Sequence, residues 1–134
     1  MIVVDTSALI AIIQHEDERA RFLDIFDAAD AIIISAASII EARMVTYGRG
    51  GAPLVRILDT FLADYRIEIV APGAVETEAA HIAFTTYGKG SGHPAQLNFG
   101  DLFSYALAKT RSLPLLFKGD DFARTDIKVA NLSQ

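Results

Sequence analysis

Acidic side chains stand at four separate places in this chain of 134 residues, and their positions are the first sign of chemistry. Asp5 follows the apolar run "IVV", Glu41 follows "AIIIS", and Asp101 lies in "LNFGDLF". The fourth place is the pair Asp120 and Asp121 in "LLFKGDDF". Carboxylates that gather at one point repel one another, which raises some of their pKa values unless a cation lies between them. If the fold brings the four places together, we expect Mg²⁺ there, because it prefers hard oxygen ligands and keeps several waters.

Such a metal site has a specific use. Mg²⁺ held by carboxylates, alone or as a pair of ions, activates water and stabilises the charge of a phosphodiester during its cleavage. The chain contains no cysteine, so thiolate metal sites and disulfides are excluded. Zinc is disfavoured because none of the three histidines, His15, His81 and His93, has a partner at a metal-binding spacing such as H-x-x-x-H.

Each acidic place also has a purely structural interpretation. Asp5 can cap the helix that follows it, and Ser38 with Glu41 matches the S-x-x-E capping box. Asn98 is a candidate N-cap that makes Asp101 the third residue of a helix, where a negative charge is favourable. The remaining acidic pair is typical of a turn after a strand. The two interpretations are compatible, since a helix start also holds a carboxylate rigidly.

The elements that must position these acids alternate between strand and helix. Apolar runs predict strands at 2–4, 31–35, 67–70 and 113–117, with a weaker one at 127–130. Helical patterns lie between them, among them 17–29, 53–64 (with Pro53 at its start), 73–87 and 99–111. Continuous apolar strands indicate a parallel sheet covered by helices on both faces. We therefore predict an α/β fold with four to five strands and a site at their carboxyl ends.

Length and composition predict one domain spanning residues 1–134, with enough apolar content, 51%, to build a core. The first positive residue is Arg19 and the apolar start ends by Gln14, so we expect neither a secretory signal nor a membrane anchor. The lack of cysteine fits a reducing compartment, and we expect a cytoplasmic protein.

The charge is unevenly distributed, although its total of −5 disfavours a nucleic-acid partner at first sight. Residues 1–41 hold eight acids and two bases, whereas residues 42–134 hold nine acids and ten bases. Arg43, Arg49 and Lys89 lie in acid-free stretches and are candidate phosphate contacts, unless they are ordinary solvated charges. The segment "YGKGSGHP" (87–94) lacks the order of a phosphate-binding loop, and we expect a flexible connection that also presents Lys89 to a polyanion.

In this order and spacing, four segments resemble the PIN-domain family, and within it the VapC-type ribonuclease toxins of type II toxin–antitoxin systems. They are "IVVDTSALIAI", "SAASIIEA", "LNFGDLFSYALAK" and "LLFKGDDFARTDI", and together they span essentially the whole chain. The resemblance implies a three-layer α/β/α fold and a Mg²⁺- or Mn²⁺-dependent endoribonuclease that cleaves single-stranded transfer, ribosomal or messenger RNA. It also implies a homodimer and a cognate antitoxin that covers the acidic groove in a hetero-oligomer.

The resemblance also assigns roles to individual residues. The implied catalytic acids are Asp5, Glu41, Asp101 and Asp121. Asp121 fits the fourth place better than Asp120, because it stands next to Phe122 as in the family's "DF" element. Asp5 and Asp101 are the implied direct metal ligands, and the hydroxyl of Thr6 or Ser7 would orient Asp5 or a bound water.

Two other functions stay open at this point. Phosphotransferases and phosphatases also place an aspartate after a first strand, but haloacid-dehalogenase enzymes need D-x-D where this chain has Asp5, Thr6 and Ser7. Receiver domains need an acidic pair there, which is missing, although Lys118 stands where their late lysine would be. A non-catalytic binding module of the same fold would keep a metal only for stability or for docking a partner.

Overall fold

Strands and helices alternate along residues 1–132, the part of the chain that the computed structural model describes. The elements, in chain order, are β1 (Ile2–Val4), α1 (Thr6–Ile13), α2 (Arg19–Ala28), β2 (Ile32–Ser35), α3 (Ala36–Asp64), β3 (Glu68–Val70), α4 (Ala74–Tyr87), α5 (Phe99–Arg111) and β4 (Leu115–Leu116). A short 3₁₀ turn, Phe122–Arg124, follows β4.

The strands form one parallel sheet in the order β3-β2-β1-β4. Its central strand β1 pairs with β2 through Val3 and Ile33, and with β4 through Val3 and Leu115. The predicted α/β fold with a parallel sheet of four to five strands is therefore confirmed. The weak fifth strand at 127–130 forms only a single parallel bridge, in which Val129 faces Leu115.

Two apolar cores lie on opposite faces of the sheet, because successive strand residues point to opposite sides. Val4 and Ile34 face a core that also contains α1, α2 and residues of α3 such as Leu58. Val3 and Ile33 face the second core, which contains residues of α4 and α5. The molecule thus has the three layers that the family resemblance implies.

The helix α3 is long but not continuous. Gly51 breaks it with φ 66° and ψ −162°, a conformation that side-chain-bearing residues rarely adopt. Pro53 lies two residues further on, so the helix predicted from that proline is the second half of α3. Neither α3 nor any other helix within residues 1–132 combines the length and the apolar character needed to cross a bilayer.

Candidate active site

Asp5 joins β1 to α1 and is only 4% exposed. Its Oδ2 accepts hydrogen bonds from the backbone N–H of Ser7 (3.0 Å) and from the hydroxyl of Ser7 (2.7 Å), which confirms the predicted N-cap. Its Oδ1 accepts a hydrogen bond from the hydroxyl of Ser104 on α5. A carboxylate offers about four lone-pair sites, so these three bonds leave about one for a cation.

A layer of buried hydroxyl groups lies beneath Asp5. The Oγ of Ser104 lies 3.3 Å from the Oγ of Ser38 on α3, and the hydroxyl of Thr6 donates to the carbonyl of Ser38 (3.0 Å). Of the two hydroxyl residues predicted to orient Asp5, Ser7 therefore contacts Asp5 and Thr6 contacts α3, whereas Asp120, the third predicted supporting residue, lies in the turn after β4. Ser104 was not predicted from the sequence, although it follows Asp101 by one turn and shares its face of α5.

Glu41 is half-buried near the start of α3. The N-cap of this helix is Ser35, whose side chain accepts from the N–H of Ala37 (3.3 Å), so the predicted capping box of Ser38 and Glu41 is wrong. The helix begins earlier than the pattern indicates, which leaves Glu41 free of a capping role. Its carboxylate lies against Gly100, where an added methyl group would come within 2.5 Å of Oε2.

Asp101 is the third residue of α5 and Asn98 is its N-cap, as the sequence predicts, and the two residues also form a capping box. Its N–H donates to Asn98 Oδ1 (2.9 Å), and its Oδ2 accepts from the N–H of Asn98 (3.0 Å). Burial raises the pKa of Asp101 to about 6, and the negative charges of Asp5, Asp121 and Glu41 raise it as well. The hydrogen bond from the N–H of Asn98 lowers this pKa and offsets part of the increase. The other three predicted catalytic acids therefore lie near enough to act on Asp101 through space.

An open pocket, hereafter the acidic pocket, lies at the carboxyl edge of the sheet. It is lined by Asp5, Thr6, Ser7, Ile10, Glu16, Glu41, Val45, Arg49, Asp101, Lys118 and Gly119. Glu16 and Lys118 line this pocket but were not predicted from the sequence as residues of a nuclease site. The Nζ of Lys118 lies 3.0 Å from Glu16 Oε1, and its backbone N–H donates to the hydroxyl of Ser7 (3.0 Å). Glu16 follows α1 without any motif, so only the tertiary structure reveals it.

The acidic turn after β4 lies just outside the acidic pocket. Asp121 is exposed and lines a neighbouring pocket, hereafter the loop pocket, together with Lys89, Pro94, Gln96, Asn98 and Arg124. Asp120 lines neither of these two pockets. Asp121 is also the member of the pair whose charge raises the pKa of Asp101. This placement favours Asp121 over Asp120 as the fourth acid.

The three basic residues singled out in the sequence are not equivalent. Arg49 lines the acidic pocket, two turns after Glu41 on α3, and Lys89 lines the loop pocket. Arg43 lines neither of them. Its Nη2 lies 3.1 Å from Oδ1 of Asp59 in the second half of α3, so Arg43 forms an ion pair outside both pockets.

The acidic pocket offers a donor set that fits a hard divalent cation. Asp5, Glu41 and Asp101 supply only oxygen ligands, and the raised pKa of Asp101 reflects in part their uncompensated negative charge. Among residues 1–132, no three carboxylate or imidazole groups form a complete ligand set as they stand. Mg²⁺ usually keeps several waters as ligands, so it does not require a complete set of protein ligands.

A family match, a similar sequence and similar solved structures all indicate the same family. Residues 2–128 match the family described as PIN domain. Ribonuclease VapC30 of Mycobacterium tuberculosis is 45% identical over 130 residues, which cover 97% of this chain and 98% of that protein. The structure of VapC20 from the same species, described as a Sarcin-Ricin loop cleaving toxin, has a TM-score of 0.79 at 14% identity and covers 98% of this chain and 99% of its own. A toxin–antitoxin complex from Klebsiella pneumoniae has a TM-score of 0.69 at 18% identity, over 92% of this chain and 91% of that one.

Proposed function

The chain belongs to the PIN domain family, and on that basis we propose that it is a metal-dependent endoribonuclease that hydrolyses phosphodiester bonds of single-stranded RNA. One observation carries the proposal: Asp5, Glu41 and Asp101 line a single pocket, where burial and neighbouring carboxylates raise the pKa of Asp101 to about 6. The 45% identity to a protein named a ribonuclease supports the same activity.

In this proposal Asp5 and Asp101 hold the cation directly, and Glu41 and Asp121 contribute directly or through water. A bound Mg²⁺, or Mn²⁺ in its place, supplies activation of water and neutralises charge on the phosphodiester. Asp5 presents its remaining lone pair from a fixed position, because Ser7 and Ser104 occupy the others. This rigidity means that little reorganisation is needed when the substrate binds.

The remaining residues of the acidic pocket orient these carboxylates and the RNA. The capping box holds Asp101 in the first turn of α5, and Gly100 leaves room for the carboxylate of Glu41. Arg49 lies on the same side of α3 as Glu41 and is placed to contact an RNA phosphate.

The same contacts disfavour a phosphotransferase. A phosphoryl acceptor needs an accessible oxygen, but Asp5 is 4% exposed and both of its oxygens accept hydrogen bonds. Lys118, which would serve as the late lysine of a receiver domain, is paired with Glu16. A non-catalytic binding module that keeps a metal would use the same three carboxylates, so cleavage of RNA is the property that separates it from a nuclease.

Three exposed apolar side chains, hereafter the apolar rim, lie close in sequence to residues of the acidic pocket. Ile40 and Met44 on α3 are 62% and 70% exposed, and Phe99 at the start of α5 is 76% exposed. Exposed large apolar side chains that form a patch are typical of a protein interaction site. We propose that a cognate antitoxin covers this rim and the pocket, as the K. pneumoniae neighbour is a toxin–antitoxin complex. In the same proposal the chain acts in the cytoplasm as a homodimer within a hetero-oligomer.

The test is cleavage of a panel of transfer and ribosomal RNAs, including a sarcin–ricin loop fragment, by the purified full-length chain. We expect cleavage with Mg²⁺ and none with EDTA. Asp5→Asn and Asp101→Asn should reduce the rate by roughly a hundredfold or more, because each removes a charge at the reacting centre. Asp24→Asn, on the exposed side of α2, is the matched control and should retain full activity. Cleavage that persists in both site variants would show that the proposed mechanism is wrong.

A further inference from the structure

The Gly-rich segment around Lys89 has no part in the acidic pocket, although the structure holds it beside the start of α5. The N–H of Lys89 donates to the carbonyl of Leu97 (2.8 Å), and the N–H of Leu97 donates to the carbonyl of Tyr87 (2.9 Å). The ring of His93 packs edge-on against Tyr87, and its Nδ1 accepts from the N–H of Ala95 (3.0 Å). These contacts tie the segment to the residues just before α5.

These bonds place the main chain of Lys89 next to the start of α5, where Asp101 lies. Leu97 immediately precedes Asn98, the N-cap of α5, whose capping box contains Asp101. The side chain of Lys89 is exposed and forms no ion pair with any residue in the described part of the chain. The backbone of Lys89 is thus held by hydrogen bonds, and its ammonium group extends into the solvent without an ion-pair partner within residues 1–132.

Arg124 approaches the same place from the other side of the loop pocket. It lies three residues after Asp121 in the 3₁₀ turn, and its Nη1 donates to the carbonyl of Pro94 (3.1 Å). It too makes no ion pair within residues 1–132. The lining of the loop pocket has a net positive charge, because it contains two cations, Lys89 and Arg124, and one carboxylate, Asp121.

We propose that the loop pocket is a phosphate-binding subsite for single-stranded RNA, in which Lys89 and Arg124 contact a backbone phosphate next to the one cleaved in the acidic pocket. This inference rests on the proposed nuclease function. The lining is polar apart from Pro94 and includes the amide side chains of Gln96 and Asn98, so it suits a sugar-phosphate backbone rather than an apolar peptide. The RNA would then run across the start of α5, from the acidic pocket towards the loop.

Binding of a short, labelled single-stranded RNA, measured by fluorescence anisotropy in EDTA, separates this subsite from catalysis. We expect Lys89→Gln with Arg124→Gln to weaken binding. The slope of log K for RNA binding against the logarithm of the salt concentration should become shallower by about 0.7 for each phosphate that the protein no longer neutralises. The matched control removes two other exposed cations that lie outside both pockets, through Arg111→Gln with Lys128→Gln, and should keep the wild-type slope.

Two further variants separate a phosphate interaction from a disruption of the fold. Lys89→Gln alone removes no side-chain hydrogen bond within residues 1–132, so it should fold normally and bind RNA more weakly than the wild type. Arg124→Lys keeps the charge and should retain most of the affinity that Arg124→Gln loses. If the double Gln variant binds RNA with the affinity and slope of its control, the subsite does not exist.

Cleavage kinetics report on the proposed function independently. If the wild type cleaves RNA, removal of the Lys89 charge should raise KM and leave kcat unchanged. If the wild type cleaves RNA but the double Gln variant shows an unchanged salt dependence of binding, the subsite is wrong and the nuclease function is retained. The converse result, a wild type that cleaves nothing but binds RNA through Lys89 and Arg124, would overturn the nuclease and keep the subsite.

Discussion

The carboxylate of Glu41 on α3 lies against the backbone of Gly100 on α5, so close that a methyl group on the glycine would stand 2.5 Å from Oε2. Gly100 directly precedes Asp101, so this contact joins two of the proposed catalytic acids, which come from different helices. The space left by the missing side chain is what allows the carboxylate of Glu41 to approach the start of α5.

Gly100→Ala should therefore separate activity from stability. The added methyl group displaces the end of the flexible Glu41 side chain, and a misplacement of about 1 Å at a catalytic group can cost roughly a hundredfold in rate. Alanine favours the helix by up to about 1 kcal/mol, so the variant should unfold no earlier than the wild type. Cleavage rate and urea unfolding are the measurements. Full activity in Gly100→Ala would show that the position of Glu41 is unimportant.

Asp101→Asn should stabilise the metal-free protein in a pH-dependent way. Burial and neighbouring charges raise the pKa of Asp101 from 3.8 to about 6, so the folded state binds this proton more tightly than the unfolded state does. The stabilisation from protonation is complete below about pH 4 and is lost as the pH rises through about 6. The variant should therefore melt above the wild type at neutral pH, and the two should converge near pH 4.

Thermal unfolding in EDTA across this range checks the prediction, and addition of Mg²⁺ provides a second readout. Mg²⁺ should raise the melting temperature of the wild type, because a ligand that binds only the folded state stabilises it, and it should affect Asp101→Asn less. A wild type that gains stability relative to the variant as the pH rises from about 4 to 7 would contradict the assignment.

Ser7→Ala should weaken the junction between α1 and the segment after β4. The hydroxyl of Ser7 donates to Asp5 Oδ2 (2.7 Å) and accepts from the backbone N–H of Lys118 (3.0 Å), so its removal leaves two groups without this partner. We expect a decrease of about 1–3 kcal/mol in the free energy of unfolding, measured with urea, and reduced cleavage. Ser7→Thr keeps the hydroxyl and should recover most of both, and equal stability of the Ala variant would contradict this role.

Arg49 and Arg43 provide a matched pair on one helix. Arg49 lines the acidic pocket, so Arg49→Gln should raise KM for RNA with little change in unfolding. Arg43 is paired with Asp59 away from the pocket, so Arg43→Gln should leave cleavage kinetics unchanged and lower stability by less than about 1 kcal/mol, as for an exposed ion pair. Equal KM values for the two variants would show that Arg49 does not contact the RNA.

The local pattern was sufficient for those parts of the site that form within one turn of chain. Asp5 caps α1 and Asn98 caps α5 with Asp101 as predicted, because a capping side chain reaches backbone groups only two or three residues away. The apolar strands and their parallel arrangement could be predicted for a related reason, since burial on both faces requires continuous apolar runs.

The capping box of Ser38 and Glu41 shows where the local pattern is insufficient. The motif is present, but α3 begins at Ala36, so Ser38 is buried inside the helix and contacts Ser104. Where a helix begins depends on the strand before it and on packing against its neighbours, which a four-residue pattern does not contain.

By itself the sequence determined which acids stand at the ends of strands and the starts of helices, because hydrophobic periodicity and capping are short-range properties. Only the tertiary structure decided their mutual contacts. Ser104 donates to Asp5 across 99 residues, Lys118 binds Glu16 across 102, and Glu41 lies against Gly100. The physical reason is that strand register and helix packing set these distances, and both depend on the whole buried core of the protein.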